Sequence, residues 1–376
     1  MRLLLALSLL LPCPALALDL TETTEHGTIR IETFAEGLVR PWGLVFLPEG
    51  GMLVTERPGR IRFVSEEGAL SAPLQGVPVV MTGEQCGLLD IALDPDFAGN
   101  RLVYFIYCEP GPDGTNSNAI ARGRLSEDRS ALQDVEVIFT AVPRVASVQN
   151  SGARLVFDDD GNLFATLGDK YDHDVRIQAQ RLDSHIGKII RIRPDGSAPA
   201  DNPFIDKEGA LPEIWTLGHR NPQGAAFDPA TGDLYAVEHG PFGGDELNRI
   251  EPGKNYGWPE VSYGADYEGP PVGTGRQTAE GMDDPVHQWT PVIAASGMIF
   301  YDCSAFPEWR GDVFVAGLAS TALVRVELEG GRVVHEERLL TEAGFRIRHV
   351  REAADGTLFV LTDEEEGQIL HVTPAE

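Results

Sequence analysis

Three arginines raise the first chemical question. Arg346 and Arg348 are separated only by Ile347, and Arg220 stands in the run His219-Arg220-Asn221-Pro222-Gln223. On an extended segment, residues two apart point to the same face, so Arg346 and Arg348 would present their guanidiniums together. Guanidinium forks match carboxylates and phosphates bidentately. In a chain of formal net charge −28, such a grouping fits a planar, multiply anionic ligand. Amides and flat rings stand near equivalent positions: Gln85, Asn150, Asn221 and Gln223, with Trp42 and Trp289 available for stacking. A second cluster lies at 239–259, where Asp245 and Glu246 follow Gly243 and Gly244. Carboxylates beside a backbone free to turn its carbonyls inward suit calcium, although the spacing is not that of an EF-hand. A solvated acidic loop fits the same residues.

The elements that would bring these positions together are repeated. Six times a glycine-led apolar segment is followed by a turn of Asp, Pro and Gly and a second apolar run: 42–56, 87–107, 152–169, 224–240, 297–318 and 347–363. Each unit reads as a β-hairpin. Second strands centred on Leu53, Leu102, Leu163, Leu234, Val313 and Leu358 recur every ~45–80 residues, enough for four strands and variable insertions. The pattern predicts an all-β six-bladed β-propeller with four-stranded antiparallel blades. A pair of β-sandwiches does not account for six copies of one long-period motif. Segments 28–34 and 368–373 are spare strands that could share a blade and close the ring. Helical signal is minor, with Val175–Ser184 as one possible short helix. If the glycine-led strands line the channel, the residues just before them converge at one mouth. Those residues are Trp42, Gln85, Asn150, Arg220, Asn221, Gln223, Arg346 and Arg348, with Trp289 a few residues before the fifth.

Composition narrows the partners. The acidic balance argues against a nucleic-acid footprint and against attraction to anionic membranes. With 41 glycines and 26 prolines the chain is turn-rich, and 42% hydrophobic content supports a sizeable core. Arg2, the apolar run Leu3–Leu11 and Ala15-Leu16-Ala17 read as a secretory signal peptide over 1–17, leaving a single domain over 18–376. The expected location is therefore periplasmic or secreted. No later stretch reaches the ~20 apolar residues of a membrane span. Cleavage would leave Cys86, Cys108 and Cys303, as buried thiols or with Cys86 and Cys108 bridged.

Longer motifs then carry a resemblance. LGHRNPQG (217–224), EHGPFGGDELN (238–248), NYGWP (255–259), GKIIRIRPDG (187–196) and DNPF (201–204) resemble the soluble PQQ-dependent aldose sugar dehydrogenases of the glucose/sorbosone dehydrogenase family. The resemblance spans about 30 to 373. It implies a secreted or periplasmic six-bladed propeller that binds pyrroloquinoline quinone (PQQ) through calcium and oxidises aldoses at C1 to lactones. By resemblance, Gln85, Arg220, Asn221, Gln223, Trp289, Arg346 and Arg348 contact the quinone. The carbonyls of Gly240 and Pro241 hold its calcium, and Glu246 with the carbonyl of Tyr256 holds a second, structural one. The partners implied are an aldose and an unidentified electron acceptor.

The resemblance also exposes a departure. The family's general base is a histidine four residues before an arginine; here that arginine is Arg154 and the position is Asn150. Asp169, which matches the carboxylate that orients the histidine, is retained. Asp169 through a water, or His173, could substitute, although His173 in YDHD reads more readily as a solvent-facing loop histidine. Ala319 stands where some members carry a lysine. The alternative function is a weakly active or non-catalytic propeller that binds PQQ or a sugar.

Overall fold

The computed structural model describes residues 17–267 and 271–375, so the expected leader lies almost wholly outside the described residues. Six antiparallel meanders form the blades. Blade 1 comprises Pro41–Phe46, Met52–Glu56 and Arg60–Val64, extended by a bridge from Val64 to Leu70. Blades 2 to 5 have four strands each and begin at Leu88–Leu93, Gly152–Phe157, Pro222–Phe227 and Ala295–Phe300. Blade 6 has five: Ile347–Glu352, Leu358–Thr362 and Gly367–Pro374, then Gly27–Leu38 and Asp19–Thr24 from the other end of the chain. Both spare terminal segments therefore lie in one blade, where Ile31 pairs with Val372, and the ring closes through that pairing.

The first strands neighbour one another around the channel. Their glycines have a steric cause. A Cβ on Gly224 would overlap the Ser296 carbonyl oxygen of the next blade, and one on Gly297 would strike the His349 ring. Second strands are buried throughout in five blades, as in Leu163–Leu167 and Leu358–Thr362, and over Val103–Cys108 in blade 2, because both sheet faces pack against neighbouring blades. Leu89, Tyr104 and Ile120 of blade 2 share such a layer with Leu155, Ala165 and Ile190 of blade 3.

Cys86 and Cys108 form a disulfide, tying the approach to blade 2 to its second strand, while Cys303 is free. The expected helix starts earlier and is shorter, with one turn at His173–Arg176 and a 3-10 turn at Ile177–Gln180. Asp172 caps its start, accepting from Asp174 N and Val175 N. Lys188 Nζ donates to the carbonyls of Gln178 and Ala179 and occupies its end. Among the described residues no helix is long and apolar enough to cross a membrane.

Candidate functional site

Two cavities open side by side at the predicted channel mouth and share Glu84, Gln85 and His239. The larger, about 450 Å³, is lined by Arg40, Arg57, Arg346 and Arg348 against Glu84 and Asp363, with Trp42 as its flat wall. Arg348 is nearly buried. Its Nη1 donates to Gln223 Oε1 at 2.6 Å and Ser296 Oγ at 3.1 Å, and its Nη2 pairs with Asp363 at 3.0 Å. Arg346, on the same face, reaches Asp363 at 3.3 Å and the Leu318 carbonyl at 3.2 Å. Trp42 lies beneath the Arg154 guanidinium at 4.3 Å, and Arg154 is fixed by Asp90 at 2.8 Å. Positive charge is in excess here. Burial, then the proximity of Arg348, pushes Arg57 down to about 10. The buried Nε atoms of Arg57 and Arg220 and Nε2 of His239 have no protein partner. Burial, then Arg220 and Arg348, pushes His239 down to about 3, so its ring is neutral.

The smaller cavity, about 320 Å³, carries amides and phenols: Gln149, Asn150, Tyr171 and Tyr267, with Arg220 at its inner end. Tyr171 and Tyr267 lie 6.2 Å apart between ring centroids and leave 38% and 57% of their surface exposed. Asn150 Nδ2 donates to Asp169 Oδ1 at 2.8 Å. Asp169 also accepts from Tyr171 N at 2.8 Å and Trp258 Nε1 at 2.7 Å. It is fully buried, and burial raises its carboxyl above the usual range against the pull of Arg220. Gln85 is the seam between the cavities. Its Oε1 accepts from Asn221 at 3.1 Å and Gln223 at 3.2 Å, and its Nε2 faces Asn150 Oδ1 at 3.5 Å.

A third space, about 10 Å³, lies against Glu238, Gly240, Pro241, Glu246 and Tyr256. Asn248 Nδ2 donates to Glu238 at 3.1 Å and Glu246 at 3.2 Å, while its buried Oδ1 has no partner. Desolvation, then Glu238, pushes the Glu246 carboxyl well above the ordinary range. Arg220 reaches the Gly240 carbonyl at 2.8 Å. Asp245 holds Gly240 N at 2.8 Å, and burial pushes its carboxyl up to about 6. Among the described residues no three His, Cys, Asp or Glu side chains converge as a metal-ligand group.

Gln85, Asn150, Asp169, Arg220, Asn221, Gln223, Arg346 and Arg348 thus gather at one mouth, with Gly240, Pro241, Glu246 and Tyr256 beside it. Trp289 does not join them. It ends the outermost strand of blade 4, His287–Trp289, and packs on Tyr235, Val237 and Ile293. Its Nε1 donates to Glu336 at 2.7 Å. Five residues still separate it from the inner strand of blade 5, which leaves it at the blade's outer side. Trp42 takes the flat position instead. His173 lines neither cavity; its side chain is 62% exposed and lies 3.6 Å from Asp266.

The chain matches the family model described as Glucose / Sorbosone dehydrogenase over residues 38–371. It is a member of that family. The chain is 41% identical over 363 residues to aldose sugar dehydrogenase YliI of Escherichia coli, covering 96% of this chain and 97% of that one. A crystal structure of glucose dehydrogenase superposes with a TM-score of 0.88 at 45% identity, covering 92% and 99% of the two chains. The PQQ-bound form of aldose sugar dehydrogenase from Streptomyces coelicolor superposes at 0.76 with 31% identity, covering 93% and 100%. This glucose/sorbosone dehydrogenase family member is accordingly an oxidoreductase that acts on sugars.

Proposed function

We propose that the protein oxidises the anomeric carbon of aldoses to lactones, using PQQ and calcium. One observation carries this: four arginines line the larger cavity against two carboxylates, and buried guanidinium and imidazole nitrogens there lack partners. A planar tricarboxylate supplies the missing acceptors and lies against Trp42. Arg346, Arg348 and Arg57 would hold its carboxylates, with Gln85, Asn221 and Gln223 around its polar edge. By the family resemblance the carbonyls of Gly240 and Pro241 would hold the cation, which would displace Arg220 from the Gly240 carbonyl. Glu246, Glu238, the orphaned Asn248 Oδ1 and the Tyr256 carbonyl fit a second, structural calcium. When bound, the calcium-polarised quinone supplies a two-electron hydride acceptor.

The chain's own residues do the rest. The smaller cavity admits the sugar, with Tyr171 and Tyr267 offering apolar faces and Gln149 a hydrogen-bonding edge. Asn150, fixed by Asp169, offers a carboxamide to a sugar hydroxyl and thereby orients C1. A carboxamide does not accept a proton at useful pH, so another group must. The leader-like segment and the Cys86–Cys108 disulfide favour an oxidising compartment, periplasmic or extracellular. The electron acceptor that regenerates the quinone is a separate partner.

Reconstitution of the apoprotein with calcium and PQQ, followed by dye reduction with a panel of aldoses, tests the proposal. Sugar-dependent reduction requiring both additions is expected; reduction that ignores PQQ would refute it.

A further inference from the structure

Asn150 stands where the family resemblance places a histidine and cannot take the C1 hydroxyl proton, so the groups around the sugar-side cavity are taken in turn. Asp169 lines neither cavity and is saturated by three donors. His173 lies outside, beside Asp266. A protonated His239 would stand against the Arg220 guanidinium, which donates to its carbonyl at 3.0 Å, and against the arginines of the larger cavity. Tyr171 and Tyr267 are phenols. One carboxylate remains. Glu84 lines both cavities, so it borders the space where the sugar and the larger cavity's ligand meet. Its side chain makes no hydrogen bond or ion pair among the described residues.

The segment that carries Glu84 is pinned. Gln85 N donates to the Val148 carbonyl at 3.0 Å, and its side chain spans Asn150, Asn221 and Gln223. Cys86, the next residue, is covalently tied to Cys108. The exposed carboxylate is thus held at a fixed edge of the site and can pass a proton to solvent.

We propose that Glu84 is the general base of this chain, in place of the residue that Asn150 cannot be. The inference rests on the sugar-oxidation proposal above. Glu84 takes the C1 hydroxyl proton as the C1–H bonding pair leaves as hydride for the ortho-quinone. The C1–O bond becomes the lactone carbonyl, and the protonated carboxyl releases its proton to water.

The test uses Glu84→Gln, an isosteric change at an exposed position, with two readouts. In calorimetry, the first probe is an imino-sugar whose protonated ring nitrogen lies next to the anomeric carbon. The second is the neutral 1,5-anhydro sugar. Wild type should prefer the basic analogue at least tenfold and the variant should lose that preference; equal preference in both proteins would overturn the assignment. In turnover, Glu84→Gln should lower kcat by ~10²-fold or more, and Glu84→Gln/Asn150→His should regain it. Turnover within threefold of wild type would also overturn it. If no aldose reduces dye in wild type, variant or double variant, sugar oxidation itself fails. The analogue titration still decides whether Glu84 faces the anomeric position.

Discussion

The two cavities at the channel mouth share a wall yet are built from opposite materials. The larger is cationic and lined largely by groups already locked to one another, such as Arg348 with Gln223, Ser296 and Asp363. The smaller is lined mainly by amides and half-exposed phenols. The first arrangement suits a ligand of fixed shape and high charge that stays bound. The second suits a neutral ligand that enters and leaves. Catalytic geometry then depends on the seam, where Gln85 touches residues of both sides.

Four experiments probe that contrast. Replacing Arg346 and Arg348 together by Ala should have the largest effect. Each removes charge-assisted contacts worth ~1.5–3 kcal/mol, so calorimetric PQQ affinity should fall at least ~100-fold. A loss under threefold would mean that the cationic side does not hold the cofactor.

Gln85→Leu strikes the seam and strands the Asn221 and Gln223 amides, at about 1–3 kcal/mol. Both PQQ affinity and the KM for sugar should worsen by roughly tenfold. A change in only one would show that the cavities are independent.

Chelation comes next. A calcium bound only by the folded state adds ~2.7 kcal/mol at a hundredfold excess over its Kd. EDTA should therefore lower the Tm of PQQ-free protein by several degrees. An unchanged melting curve would mean that the space beside Glu246 holds no calcium in the folded protein.

The smallest effect concerns Lys170, buried next to Asp169, with Nζ on Asn118 Oδ1 at 2.5 Å. Burial pushes it down to about 7 from an unfolded value near 10.5. Between those values the unfolded chain binds the extra proton, so stability rises with pH from about 7 upward. Denaturant midpoints measured from pH 7 to 9 should climb in wild type and climb less in Lys170→Met. Equal slopes would place the ammonium in contact with water.

How much of this was legible in the sequence follows from strand direction. The glycine-led repeats could be read because blade crowding at Gly224 and Gly297 leaves no room for a Cβ, whatever else the blade contains. The residues before those strands could be read as one cluster for the same reason. A second ring stands at the same mouth, and of its members the sequence reading names only Asp169, through the family resemblance. Antiparallel hairpins return the ends of second strands to the starts of first strands. Arg57, Asp169, His239, Leu318 and Asp363 follow second strands by one or two residues and all stand at the site. Arg40, Glu84 and Trp258 lie in connections and an insertion, where no period applies. Trp289 lies away from the mouth because closeness in sequence to an inner strand is not closeness in space. The outer strand and a five-residue crossing separate them.

The closure of blade 6 by Gly27–Leu38 bears on the larger cavity. Arg346, Arg348 and Asp363 belong to the last unit of the chain, and that unit is complete only when both ends of the polypeptide meet. Without that unit the larger cavity lacks Arg346, Arg348 and Asp363, and its cationic wall is reduced to Arg40 and Arg57. On the reading proposed above, retention of a polycarboxylate would then be an all-or-none property of ring closure rather than one that builds up blade by blade.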